Sequence, residues 1–347
     1  LKPFYGVLKT MDGYIKLGFL TGVTKFGKVS VFSDLNNLKD ISMRRDYIDI
    51  CGITDKELHR YFDKDLHTLA DVQGLDYETV CLEVQKRYDG YHFNFNTLGI
   101  YNPFSLLNTF DAMAFGSYWF ATGTPSYLVY LLKKHHYRLE EIEKVEVTED
   151  VLDSIDSEGT NPIPVIYQSG YLTIKDYDPE FGLYTLDYPN REVEEGFVKY
   201  LMPFYIDKSE AEAPFEIRRF VGEVRNGNID GFFHRLQSFF ADAPYEVIVG
   251  QDPVRNVELF FQNVLFIVFR LAGFYTQVEY HTSRGRIDLV LKTDKFIYVM
   301  EFKQGATAEE ALAQINEKGY ADAFASDSRT LYKIGVSFSD EQRNIER

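Results

Sequence analysis

The chain has 347 residues, of which 45% are hydrophobic and 26% charged, with 29 Phe and 25 Tyr. That is enough apolar surface for two or three domains, and it excludes a disordered chain. A net charge of −16 excludes an overall basic footprint, no run reaches the ~20 apolar residues of a membrane span, and two cysteines are too few for a disulfide framework. The charge is unevenly spread: residues 1–137 hold 15 basic and 15 acidic residues, residues 138–253 hold 10 and 25 (net −15), and residues 254–347 hold 12 and 13 (net −1). Cys51 and Cys81 lack zinc-ligand spacing and read as small core residues. With no secretory pattern at the start of the chain, a reducing cytoplasm is the expected location.

In chain order, Ile15 to Leu20 reads as a strand-like run entering Thr21-Gly22-Val23-Thr24-Lys25-Phe26. Gly/Asn/Asp clusters within Tyr88-Asp89-Gly90-Tyr91-His92-Phe93 and Tyr101-Asn102-Pro103-Phe104 read as turns between aromatic-rich helices and strands, as does Gly123 after Tyr118-Trp119-Phe120. The phrases FLTGVTKFGKVSVFSDLNNLKDIS, RYDGYHF, YNPFSLLN and YWFATGT resemble those of an AAA-ATPase-like family of uncharacterised bacterial proteins that commonly end in a nuclease domain. The resemblance runs the length of the chain and implies that Thr21 ends a sensor strand beside a nucleotide γ-phosphate. No G-x-x-x-x-G-K-[ST] occurs. Residues 1–137 are therefore expected to be the C-terminal part of an AAA-ATPase-like domain in a fragment of a longer protein, with ATP bound only in that parent chain.

Residues 138–252 form the acidic segment. A helix is expected around Glu149 to Ile155, followed by the runs Pro164 to Ile174 and Tyr184 to Asn190. Helix, helix and hairpin suggest a small winged-helix-like module, with helices from 206 to 252 leading onward. Winged helices often bind DNA, but a net −15 repels phosphate, so packing or a protein partner is the expected use.

Residues 253–347 carry the chemistry. Asp252-Pro253 opens an apolar helix through Val257, Phe260, Phe261, Val264, Leu265, Val268 and Leu271, ended by Gly273, with Glu258 in its first turns. A strand from Phe274 to His281 precedes Arg286-Ile287-Asp288-Leu289-Val290-Leu291, a Thr293-Asp294-Lys295 turn, and Phe296 to Lys303. Thr307-Ala308-Glu309-Glu310 is a capping box that starts a helix carrying Gln314, Lys318 and Tyr320, and a last strand runs from Leu331 to Phe338. Strand alternation puts Ile297, Val299, Glu301 and Lys303 on one face, with Glu301 and Lys303 roughly 7 Å apart. Carboxylates on adjacent strands are hard oxygen ligands for a divalent cation, and a neighbouring ammonium can position the attacking water. Taken singly, Asp288, Glu301 and Lys303 would read as polar strand ends, Glu258 as an acid favoured near a helix N-terminus, and Gln314 as a solvated position.

The order helix, strand, strand, strand, helix, strand resembles the αβββαβ core of the PD-(D/E)XK, or restriction-endonuclease-like, superfamily. The resemblance implies that Asp288 and Glu301 hold Mg²⁺ or Mn²⁺, that Lys303 orients and polarises water, that Glu258 supports a metal, and that Gln314 is the polar residue of the following helix. The expected whole is a mixed α/β (α+β) chain with three parts: an AAA-type region, a winged-helix-like middle and a nuclease-like end. Its expected function is phosphodiester hydrolysis on nucleic acid, DNA in preference to RNA, bound weakly or with a partner's help, and without a membrane. The alternative is a catalytically silent nuclease fold serving as a scaffold in an NTP-driven switch.

Overall fold

In a computed structural model of the chain, the described residues are 7–8, 10–22, 39–120, 126–153, 161–206, 209, 211–241, 253–283, 286–339 and 344–346. They divide into two compact units, one of residues 1–137 and 141–197, the other of residues 138–140 and 198–347. No helix among the described residues is long and apolar enough to cross a membrane.

The first unit includes the short helices α1 (Asp55–Tyr61), α2 (Asp63–Gln73), α3 (Tyr77–Tyr88) and α4 (Pro103–Ala112). Their boundaries follow from local chemistry. Thr54 and Glu57 exchange a capping box at α1, Asp76 accepts from the Thr79 N–H at α3, and Asn102 caps α4 just before Pro103. Gly74 closes α2 in the left-handed region at φ 66°. One stripe of each helix enters a core that includes Leu58, Leu69, Val84, Tyr88 and Leu106.

The chain continues through α5 (Ser126–Lys134), β1 (Val145–Thr148), α6 (Glu149–Asp153), α7 (Ile163–Gln168), β2 (Thr173–Asp178) and β3 (Leu183–Asp187). The strands form an antiparallel sheet in the order β1-β3-β2. The expected pair of helices and hairpin are present; β1 is an addition that the sequence did not announce. This module packs in the same unit as the helices before it. His92 N–H donates to Thr173 Oγ1 at 2.7 Å, Tyr91 OH donates to Gly170 O at 3.2 Å, and Trp119 N–H donates to Glu192 Oε1 at 2.9 Å. Gly90 has φ 104°, and a Cβ there would lie 2.2 Å from Pro189 O, so the RYDGYHF phrase is held by backbone geometry that only glycine permits.

Two expectations in this unit fail. Ile15 to Leu20 has no strand pairing and is exposed, Leu17 at 85%; an apolar run becomes a strand only when a neighbour takes up its backbone hydrogen bonds, and no strand among the described residues does so. Cys51 is exposed in a turn and does not fill the core, because the polypeptide before α1 is a series of turns with little apolar cover; Cys81 is half-buried on α3 and packs against the core of α1 to α4. Most of FLTGVTKFGKVSVFSDLNNLKDIS, the end of YWFATGT, and Gly285 lie outside the described residues.

The second unit begins within α8 (Arg191–Tyr205) and adds α9 (Ala213–Asn226), α10 (Ile229–Ala241) and α11 (Pro253–Gly273). A five-stranded sheet follows, β4 (Gln277–Ser283), β5 (Arg286–Lys292), β6 (Phe296–Gln304), β7 (Thr330–Ser339) and β8 (Asn344–Glu346), in sequential order. All neighbours are antiparallel except β6 and β7, which are parallel and joined through α12 (Ala308–Glu317). The even-numbered side of β6 and β7 faces α9 to α11: Tyr298 OH donates to Val224 O, Phe302 lies 6.2 Å from Phe269, and Phe338 stacks on Phe261 at 4.6 Å. The odd-numbered side packs Ile297 and Val299 against Ile315 and Ala321 of the α12 segment.

The αβββαβ order stands through β7, with β8 an addition that the sequence did not announce, and with two boundary corrections. β4 starts at Gln277 rather than Phe274, because residues 274–276 turn the chain out of α11, with the Tyr275 and Thr276 N–H groups donating to Ala272 O. Lys318 and Tyr320 lie beyond α12, because Gly319 at φ 65° ends the helix and lets the Tyr320 N–H return to Ile315 O.

Candidate active site

The site is built on the β5–β6 hairpin. Thr293 closes its turn: the Thr293 N–H donates to Phe296 O at 2.8 Å, and Thr293 Oγ1 accepts from the Phe296 N–H at 2.9 Å. Counting outward from that turn fixes the register, which pairs Asp288 directly with Glu301 and Arg286 directly with Lys303. Positions directly opposite in an antiparallel ladder share a face, with Cβ atoms about 4.5–5.5 Å apart. The register extends across four strands. One row runs His281, Asp288, Glu301, Gly335; the next, two residues along, runs Ser283, Arg286, Lys303, Ser337.

Glu301 is fully buried and Lys303 half-buried. Carboxylate burial is costly unless a cation or hydrogen-bond donors compensate. Lys303 forms no ion pair and no side-chain hydrogen bond among the described residues. Asp288 and Glu258 are described through their backbone alone.

The odd-numbered face that carries Glu301 and Lys303 is the face that α12 covers. α12 begins at its capping box, Thr307 with Glu310, and crosses β7 at Gly335 so closely that a Cβ there would lie 2.1 Å from Ala308 O and 2.5 Å from Leu312 N. Gly335 is the register neighbour of Glu301, so the absence of a side chain there sets how near α12 comes to the row. Gln314 is half-buried on α12, between the fully buried Ala311 and Ile315. Ser337 Oγ donates to Ala306 O at 2.6 Å and holds the loop that leads into the helix.

The structure thus brings Asp288, Glu301 and Lys303 onto one face and sets the helix bearing Gln314 over it. Glu258 is placed differently. Its helix, α11, lies against the even-numbered face, although Phe261, one turn on, stacks on Phe338, the register partner of Gln304. The start of α11 is therefore at the same end of the sheet as Lys303 but across it.

Among the described side chains no three potential ligands gather. The donor chemistry nevertheless fits a hard divalent cation: two carboxylate positions directly opposed on adjacent strands, with an ammonium position one step along. Sequence reasoning found those three but missed His281 and Arg286, which enter only through the register; the hairpin count was the signal that reveals Arg286. A groove on α10 lined by Asp230, Gly231, Phe233, His234 and Gln237 contains none of the predicted residues.

Comparison with known proteins gives two matches. Residues 256–347 match the profile of the PD-(D/E)XK nuclease superfamily. Over 354 aligned residues and 99% of its length, the chain is 32% identical to an uncharacterised protein in the vnfD 5′ region of Azotobacter chroococcum mcd 1, and it spans 65% of that protein. No solved structure matches. The hairpin, its register and the helix-linked parallel strand all fall inside the matched segment, and residues 256–347 form a domain of the PD-(D/E)XK nuclease superfamily.

Proposed function

We propose that the C-terminal domain hydrolyses phosphodiester bonds of nucleic acid with Mg²⁺ or Mn²⁺, DNA in preference to RNA. The observation that carries this reading is the register pairing of Asp288 with Glu301, one step from Lys303. Asp288 and Glu301 would hold the cation. When bound, the cation supplies Lewis-acid polarisation of a phosphoryl oxygen and makes a bound water more acidic. Lys303 orients the attacking water and donates to developing negative charge, Gln314 supports that water from α12, and Glu258 acts from the start of α11.

The N-terminal parts extend the proposal. Residues 1–137 belong to an AAA-ATPase-like domain whose nucleotide-binding portion lies in a longer parent, and that domain controls the nuclease from the cytoplasm. Residues 138–252 are a winged-helix-like connector that meets a protein partner. In support, α7, the helix between α6 and the hairpin, has no Lys or Arg and buries Ile163 through Ile166, leaving little to offer a phosphate backbone.

The test is cleavage of plasmid, linear duplex, single-stranded DNA and RNA in Mg²⁺ or Mn²⁺, wild type beside Glu301→Ala. Cleavage by wild type alone, falling by at least about a hundredfold in the variant, is the expected outcome. Equal cleavage by both proteins would assign the activity to a contaminant. Absence of cleavage by the chain and by its full-length parent would leave the scaffold reading, which the near-neutral charge of residues 254–347 favours.

A further inference from the structure

We propose that the outer face of α5, in the first unit, is a stacking platform for single-stranded nucleic acid, formed by Tyr127, Tyr130 and Lys134. The inference rests on the nuclease reading for the class of ligand and adds a contact that the carboxylate pattern does not supply.

α5 turns its apolar side into its own unit, where Leu128, Val129, Leu131 and Leu132 are buried. Two large rings remain outside. Tyr127 is 58% and Tyr130 57% exposed, and their rings stack with centroids 6.4 Å apart and planes 25° from parallel. Lys134 Nζ lies 5.9 Å from the centre of the Tyr130 ring, within the range of a cation–π contact. Positions i, i+3 and i+7 share one face of a helix, so the three side chains form a single stripe. Lys133 and His136 are exposed beside it. A helix C-terminus favours lysine, which accounts for Lys134 by itself. It does not account for two adjacent tyrosines left in water, which mark a contact surface.

Charge selects the ligand. In a chain with 53 acidic residues, none lies between Asp111 and Glu140, while Lys133, Lys134 and Arg138 fall in that stretch. A polyanion is the complement of such a segment. Exposed rings narrow the choice to one whose bases are free to lie on them while its phosphates meet the cations. A duplex keeps its bases paired and stacked, so a single strand fits better. The other anionic surface of this kind, a lipid bilayer, takes a helix whose apolar face can enter the acyl region. The leucines and valine of α5 are already held in the core.

The test is fluorescence anisotropy of a 5′-fluorescein thymidine oligonucleotide of about 20 nucleotides, and of a duplex of the same length, in EDTA across a range of KCl. Tyr127→Ala and Tyr130→Ala are each expected to weaken single-strand binding roughly tenfold, and Tyr130→Phe, which keeps the ring, to leave it unchanged. Lys134→Gln should lower the slope of log affinity against log salt by about 0.7. Lys64→Gln, on α2, should change neither. The duplex should bind more weakly and be indifferent to both tyrosines. Wild-type affinity in a variant lacking both rings would overturn the proposal, as would an equal loss in Tyr130→Phe and Tyr130→Ala. Binding to phosphatidylserine vesicles without binding to the oligonucleotide would also overturn it and assign the face to a membrane surface. Tyrosine-dependent binding in a wild type that cleaves nothing would keep the platform and remove the nuclease reading. Cleavage lost in Glu301→Ala, with affinity indifferent to both tyrosines, would do the reverse.

Discussion

Glu192 shows how much a single residue can hold in place. It is 3% exposed in the first turn of α8, and its carboxylate accepts from the Trp119 N–H. Burial pushes its pKa above the ordinary glutamate range, against hydrogen bonds from Ser105 and the backbone of Trp119 and Phe120 that pull it down. A carboxyl group that holds its proton more tightly when folded contributes stability below its ordinary pKa, and that contribution is lost as pH rises through the raised value. The stability of the wild type should therefore decline, as pH rises above the ordinary glutamate range, more steeply than that of Glu192→Gln, which keeps the acceptor for Trp119 without the charge. Urea midpoints over that rise in pH would check it; parallel curves would show that Glu192 does not titrate there. Nothing in the sequence flagged this residue: Trp119 and Glu192 are 73 positions apart, and Glu192 reads as one more acid at a helix N-terminus.

At the scale of elements, the fit of α12 on the sheet is the feature most exposed to test. Gly335 meets the backbone of α12, not a flexible side-chain end, so a methyl group there cannot be accommodated without moving the helix or β7. Gly335→Ala should cost on the order of 2 kcal/mol in urea unfolding. It should also weaken Mn²⁺ binding measured by calorimetry, because Glu301 is the register neighbour of Gly335. A wild-type unfolding midpoint would show that the helix is free to retreat. The elements themselves were largely readable. The capping box placed the start of α12, Pro253 the start of α11, and alternation with the Thr293–Lys295 turn gave the hairpin. The run Ile15 to Leu20 was misread because pattern alone cannot say whether a strand has a neighbour.

For the whole molecule, charge is the property with the clearest consequence. Of the net −16, the segment 138–253 carries −15, and like charges held together in a folded chain repel. Screening grows as the Debye length shrinks to about 10 Å at 0.1 M salt, so the melting temperature should rise between low and moderate NaCl. A melting temperature that falls over that range would mean that attractive pairs, such as Arg235 with Glu216 and Glu223, outweigh the repulsion. The division into packing units, one ending and the other starting within α8, is likewise a property of the whole that no composition shift announced.

The sequence by itself determined the helices and first four strands of the nuclease-like domain and their order, and put Asp288, Glu301 and Lys303 forward as candidates, because helix caps, turn residues and two-residue alternation are local and act over a few positions. Only the tertiary structure decided that Asp288 pairs with Glu301 and Arg286 with Lys303 in the strand register, that α12 covers their side of the sheet while the helix of Glu258 lies on the other, and that Gly90 comes too close to the Pro189 carbonyl for any side chain. Those facts depend on register and on contacts between residues far apart in the chain, where the closeness of two backbones is set by packing rather than by the residues on either side of them.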